Sequence, residues 1–323
     1  MSLLGGLREL LRPPPHRGPL IAAGGVAVAV GVSITVLRVQ SEVPVGVPVA
    51  MLLASGGLLY WLGAQAPNEG GKPTAYQSVL LATGLPLLFA GLFLLFGSLA
   101  GYLDPPPAWV FMVASAVTGA LALWPALERN SAISLLLAAI LGGTALIAAW
   151  SAIFGSTSAA PYRWLMAAYA GGLVLGSLAL REPARRHAEV LIDAAALAIA
   201  FIGLTAFVGP FEAEADLPWF WEIVLLGAGF GLTAFGALDR SPGPAYLGVL
   251  NLVLFIFAAA FGGEGATLYW WPLFLLAGGG VMLVAGLRPR RPLPPEPDPY
   301  RAGEAPFAAR ADDREIVIRV HND

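Results

Sequence analysis

Ten stretches of about twenty apolar residues fill nearly all of this 323-residue chain, and the basic residues fall in alternate gaps between them. A hydrocarbon core about 30 Å thick takes about twenty residues of helix to cross, and it holds no water to satisfy bare backbone groups. Apolar runs of that length therefore specify transmembrane helices. The spans fall at about 19–38, 44–64, 76–100, 108–127, 132–153, 162–181, 188–208, 219–238, 245–262 and 268–287. The expected fold class is an all-α polytopic membrane protein with short loops. A cytoplasmic segment 1–18 precedes the ten-helix domain 19–287, and a Pro-rich tail 288–323 follows it.

Composition supports the bilayer as solvent. Only 12% of residues are charged, against about 25% for a soluble domain, and mean hydropathy is +0.73. The net charge of -3 leaves no footprint for nucleic acid. Cysteine is absent, which removes disulfides, thiol nucleophiles and thiolate metal sites. The first apolar run follows Arg8, Arg12 and Arg17 like a signal peptide, but it is longer than an h-region of about 7–15 residues. Arg38-Val39-Gln40-Ser41 offers no small-residue cleavage site, so an uncleaved helix is expected.

Sidedness follows from arginine. Sixteen of the eighteen basic residues lie at the termini or in the gaps after even-numbered spans, and only Arg38 and Arg163 lie in the other gaps. The positive-inside rule then places both termini in the cytoplasm. Lys72 is the one lysine, a bias typical of GC-rich bacterial genes, so a bacterial plasma membrane is expected. All nine Trp fall at span ends, where the indole ring is half buried and its N–H stays wet.

Two terminal pieces differ from the spans. Leu3, Leu7, Leu10 and Leu11 have helical spacing before Pro13, which suits either a short interfacial helix or a frayed end. Pro289 to Pro299 favours an extended spacer, and Glu315 to Val320 resembles a short strand that either stays disordered or adds to an edge on this protein or a partner. Ala126-Leu127-Glu128-Arg129-Asn130-Ser131 resembles Ala237-Leu238-Asp239-Arg240-Ser241-Pro242 in an equivalent turn. Duplicated hairpins would explain that likeness, and so would the collection of arginine in cytoplasmic turns.

Charged and polar groups inside spans are the first candidates for chemistry, since each costs at least about 2.5 kcal/mol to insert when charged. Asp193 lies about five residues, or roughly 8 Å, inside span seven. Asn251 in span nine and Thr233 in span eight lie at similar depth, and the three suggest one intramembrane polar layer. Asp193 reads either as a proton or cation site or as a packing residue held by Asn251 or by Arg186 two turns away. On the outer side Glu212, Glu214, Asp216 and Glu222 form an acidic cluster, with Asp104 and Glu264 in other outer turns. Hard cations take such ligands, but the spacing matches no metal loop, and no metal or cofactor is expected.

Gly97-x-x-x-Gly101, Gly172-x-x-x-Gly176 and Gly227-x-x-x-Gly231 are expected to be close-packing faces. Pro86 is expected to kink the third span. His16, His187 and His321 are scattered, and no acid–base constellation marks an enzyme. In helix count and topology alone the chain resembles the drug/metabolite exporters built as two five-helix halves. Residues 1–150 and 151–287 do not align as an inverted repeat, so that resemblance carries over no site residue. The dry interior favours a carrier for a small or lipophilic molecule. The alternative is a scaffold or sensor acting through the tail, with self-association or a protein partner beside the lipid bilayer.

Overall fold

The computed structural model describes residues 17–39, 42–66, 68–69, 72–101, 106–155, 158–207, 217–261 and 271–287. Its elements are helices α1 (Gly18–Val39), α2 (Gly46–Gln65), α3 (Ala75–Leu99), α4 (Ala108–Arg129) and α5 (Ala132–Phe154). The series continues with α6 (Ala159–Leu180), α7 (Arg185–Leu204), α8 (Trp219–Asp239), α9 (Pro242–Phe261) and α10 (Trp271–Leu287). Two-residue strands β1 (Asn68–Glu69) and β2 (Lys72–Pro73) pair antiparallel between α2 and α3.

Among the described residues nine helices, α1 to α9, are long and apolar enough to cross a bilayer. The protein is an all-helical, multi-pass membrane protein. The tenth expected span is occupied by α10, which has 17 residues against the roughly twenty of an average span. The chain divides into two compact units, Met1–Trp271 and Pro272–Asp323, with α10 almost wholly in the second. The expected interfacial helix at 2–11, the tail at 288–323 and its terminal strand lie outside the described residues.

Within the first unit the helices pair as antiparallel hairpins, α2 with α3, α4 with α5, α6 with α7 and α8 with α9. Neighbouring odd-numbered helices touch in turn from α1 to α9, and between the α2–α3 and α4–α5 hairpins α3 also meets α4. The odd helices begin at residues 75, 132, 185 and 242 from α3 onward. The likeness of the two turn sequences extends to backbone geometry. Asn130 ends α4 at φ 54° and Arg240 ends α8 at φ 57°, and each is followed by a buried Ser. The Ser131 N–H bonds to the Pro125 carbonyl and the Ser241 N–H to that of Gly236, absorbing an orphan acceptor of the preceding helix.

With every helix backbone bonded to itself and lipid outside as apolar as the interior, helices attract one another through close van der Waals packing. Glycine supplies the closeness in two hairpins. A Cβ built on Gly84 of α3 would lie 2.7 Å from the Tyr60 backbone nitrogen of α2, and one on Gly56 2.8 Å from that of Leu88. In the other, Gly229 takes Leu252, Gly236 takes Ala245 and Gly248 takes Thr233. Gly56 and Gly63, Gly84 and Gly91, and Gly229 and Gly236 are each seven residues apart, which is the repeat of left-handed helix packing.

The four-residue glycine pairs behave otherwise. A Cβ at Gly97, Gly101, Gly172, Gly227 or Gly231 would meet nothing within 4 Å, and only Gly176 touches a neighbour, Leu191. A spacing of four puts two glycines on one face, but that face need not look at another helix. Pro86, the expected kink site, lies exposed inside α3, which runs on past it to Leu99. Buried Val36, Leu52, Leu59, Tyr76, Leu80 and Leu87 knit α1, α2 and α3 into one core cluster.

Gly84→Ala should destabilise the protein by about 1–3 kcal/mol, because the contacting atoms are backbone and cannot yield. Gly97→Ala should be neutral or mildly stabilising, since the new methyl meets open space. Thermal unfolding of both variants in the same detergent checks the contrast, and equal losses would contradict the crossing described.

Candidate functional site

Two of the three intramembrane polar residues lie farther along their helices than expected, because α7 and α9 each start three residues earlier, while Thr233 keeps its expected place on α8. Asp193 is about eight residues into α7 and Asn251 about nine into α9, or roughly 12–13 Å. All three lie at the α7–α8–α9 junction, at different heights along α9. The Asp193 carboxylate sits against Gly243, where a Cβ would lie 2.6 Å from Oδ2. Thr233 sits against Gly248, and its hydroxyl donates to the Gly229 carbonyl one turn back, at 2.8 Å. The fully buried Asn251 donates through Nδ2 to the Leu247 carbonyl at 2.8 Å and to the Ala196 carbonyl of α7 at 3.3 Å.

No hydrogen bond among the described residues joins Asp193, Thr233 and Asn251 to one another. They form a ladder of helix-to-helix contacts. Asp193 lies at the first turn of α9, where the positive end of the helix dipole favours a carboxylate. Its Oδ1 is buried with no hydrogen-bond partner. Arg186 does not reach it. Arg185 makes the local ion pairs, to Glu189 at 3.3 Å and Asp239 at 3.1 Å, with Arg181 3.7 Å from Asp239. These pairs are mostly exposed and contribute little.

At the opposite end of the bundle, α6, α7 and α8 converge on buried charge that sequence reading assigned to the surface. Arg163 is 2% exposed and donates through Nε to the Thr205 hydroxyl at 2.9 Å. Glu222, in the first turn of α8, is fully buried. The rest of that cluster, Glu212, Glu214 and Asp216, lies outside the described residues, as do Asp104 and Glu264. The Trp164 ring meets that of Trp221 at 4.9 Å, with Phe220 stacked on Trp164 at 5.5 Å, closing an aromatic wall around this end. Trp221 itself is buried. The expected span starts at 162 and puts Arg163 at its edge, whereas α6 begins at Ala159 and takes Arg163 a full turn inside the helix.

A cleft of about 410 Å³ opens between α4, α5, α6 and α7. Small residues hollow it out: Ala116, Gly119 and Ala120 on α4, and Ala138, Ala139, Gly142 and Ala145 on α5. Tyr169 of α6 forms one wall. Its hydroxyl donates to the Ala139 carbonyl at 2.6 Å, and its ring lies on Gly142 and Gly143, where a Cβ would stand 3.0–3.2 Å away. Tyr169 thus holds α6 off α5, and these consecutive helices make little other contact. Ser115 also lines the cleft, fully buried, with a hydroxyl that has no partner. Ala116, Ala120 and Leu123 are exposed, so the cleft reaches the outer surface of the bundle near mid-helix. Among the described residues no group of three or more His, Asp or Glu is placed to hold a metal.

Compared with known proteins, the chain matches no family model, no curated protein sequence and no solved structure.

The Asp193–Gly243 contact is testable by a double-mutant cycle. Gly243→Ala should cost about 1–3 kcal/mol in the native chain and much less when Asp193→Ala is also present, because the new methyl then meets no carboxylate. Unfolding free energies of the two single variants and the double variant decide it, and additive losses would show that the two residues do not touch.

Proposed function

We propose that this membrane protein is a carrier for a lipophilic molecule, which it holds in the cleft between α4, α5, α6 and α7. One observation carries the reading. A concave, mostly apolar cavity of ligand size lies halfway along spanning helices and faces the surface that lipid covers. A molecule entering from the acyl-chain region would leave one apolar environment for another and need lose no hydration. Ser115 offers it a single unpaired hydroxyl, enough to orient a carbonyl or hydroxyl group without creating a polar path. The dry interior fits such cargo better than an ion, which requires several converging ligands. The scaffold alternative rests on residues 288–323, outside the described residues.

We place the protein in a bacterial plasma membrane with the arginine-rich end of the bundle in the cytoplasm. With α10 crossing as a tenth span at the short end of the allowed range, both termini share that side. A periplasmic reporter fused after Asp323 should be inactive. An active reporter would mean an odd number of crossings.

For the carrier itself, purified protein in vesicles should speed the flip of a fluorescent fatty-acid analogue above the rate in protein-free vesicles. Ala138→Phe, which fills the cleft from α5, should lower that rate at least about tenfold while leaving the fold intact by circular dichroism. A rate equal to that of empty vesicles would end the carrier reading.

A further inference from the structure

A second cavity, of about 420 Å³, lies where two helices begin. Gly18 and Pro19 reach it from the first turn of α1, Thr74 and Tyr76 from the N-cap and first turn of α3. Gly18 lies on Tyr76 and Gly25 on Leu80, so α1 and α3 run parallel and start at the same level. The first-turn amides of a helix have no intrahelical acceptor and form the positive end of its dipole, and here two such ends converge. Neither first turn contains an acidic residue.

The hydroxyls point to what is missing. Thr74 stands at the α3 N-cap with an extended backbone, where its oxygen would ordinarily accept from a first-turn amide, yet it makes no capping bond. Thr74 is 9% exposed and Tyr76 4%, and neither hydroxyl has a hydrogen-bond partner. Buried hydroxyls are rarely left so. Arg17, exposed, adds a cation directly before Gly18. Both side-chain polar groups here can donate and no carboxylate is among the described residues that line the cavity, so the complementary ligand is an acceptor-rich anion.

We propose that this cavity binds the phosphate of a phospholipid headgroup, through the Gly18 amide of α1 (Pro19 has no N–H), the first-turn amides of α3, the Thr74 and Tyr76 hydroxyls and Arg17. Inorganic phosphate has the same chemistry. Position selects the lipid: the cavity lies at the ends of spanning helices, at headgroup depth, and its Ala22 and Val79 walls lead toward the hydrocarbon. This site is separate from the α4–α7 cleft and does not depend on the carrier reading.

The test uses the purified full chain in detergent, titrated with dioleoylphosphatidylglycerol, with dioleoylglycerol and with inorganic phosphate, and read by native mass spectrometry. Thr74→Val combined with Tyr76→Phe keeps the shapes and removes two unpaired hydroxyls, so it should fold. It should weaken phosphatidylglycerol binding about tenfold. Arg17→Gln, at an exposed position, should weaken it about fivefold. Dioleoylglycerol should bind at least about tenfold more weakly than phosphatidylglycerol and be indifferent to the variants. Unchanged phosphatidylglycerol binding in both variants, or equal binding of dioleoylglycerol, would overturn the site. Inorganic phosphate binding as tightly as the lipid, with the same loss in the variants, would overturn the lipid as its occupant.

Discussion

The bilayer offers backbone groups no partner, so each spanning segment must close its hydrogen bonds within its own helix. Everything else in the structure follows from what that closure leaves for holding helices together. Lipid tails compete equally for apolar side chains, so association depends on how near two backbones can come. Gly56 with Gly84, and Gly229 with Gly248, bring them near enough that no side chain fits between. The α2–α3 and α8–α9 hairpins are built on these contacts, and contacts between odd-numbered helices, with α3 also on α4, join one hairpin to the next.

Polar residues take two roles in this frame. Asn251 and Tyr169 donate to backbone carbonyls of neighbouring helices, and Arg163 reaches the Thr205 hydroxyl, so each fixes the register of one helix against another. Others keep buried atoms without partners: Ser115 beside the cleft, and Thr74 and Tyr76 where α1 and α3 begin, with both amide atoms of Gln77 nearby in sequence. Bundles in which every buried polar atom is paired have nothing left to offer a ligand. Here the orphaned hydroxyls line the two cavities, and that coincidence underlies both proposed sites.

Much of the fold was legible. Expected spans at 108–127, 132–153 and 219–238 match α4, α5 and α8 to within two residues. The errors have physical causes. The expected span nine starts at 245, past Pro242 and Pro244, yet α9 begins at Pro242, since proline suits the first turn of a helix, where its missing N–H has no acceptor to lose. Span six was started at 162, which left Arg163 at a boundary when it lies inside α6 and is buried. Asp193 was identified as buried charge, but its neighbour Gly243 lies 50 positions away in sequence and no local pattern announces it.

Hydropathy and charge are properties of single segments, so the sequence by itself determined that this chain crosses a membrane many times, where each helix runs, and which bundle end collects arginine. Which face of a helix meets another is a property of pairs. Gly227 and Gly231 looked like a packing face and meet nothing, while Gly229 between them meets Leu252. Tertiary structure alone set those pairings, the hollow between α4 and α7, and the meeting of two helix starts over Tyr76, because each needs residues from different helices to be placed side by side.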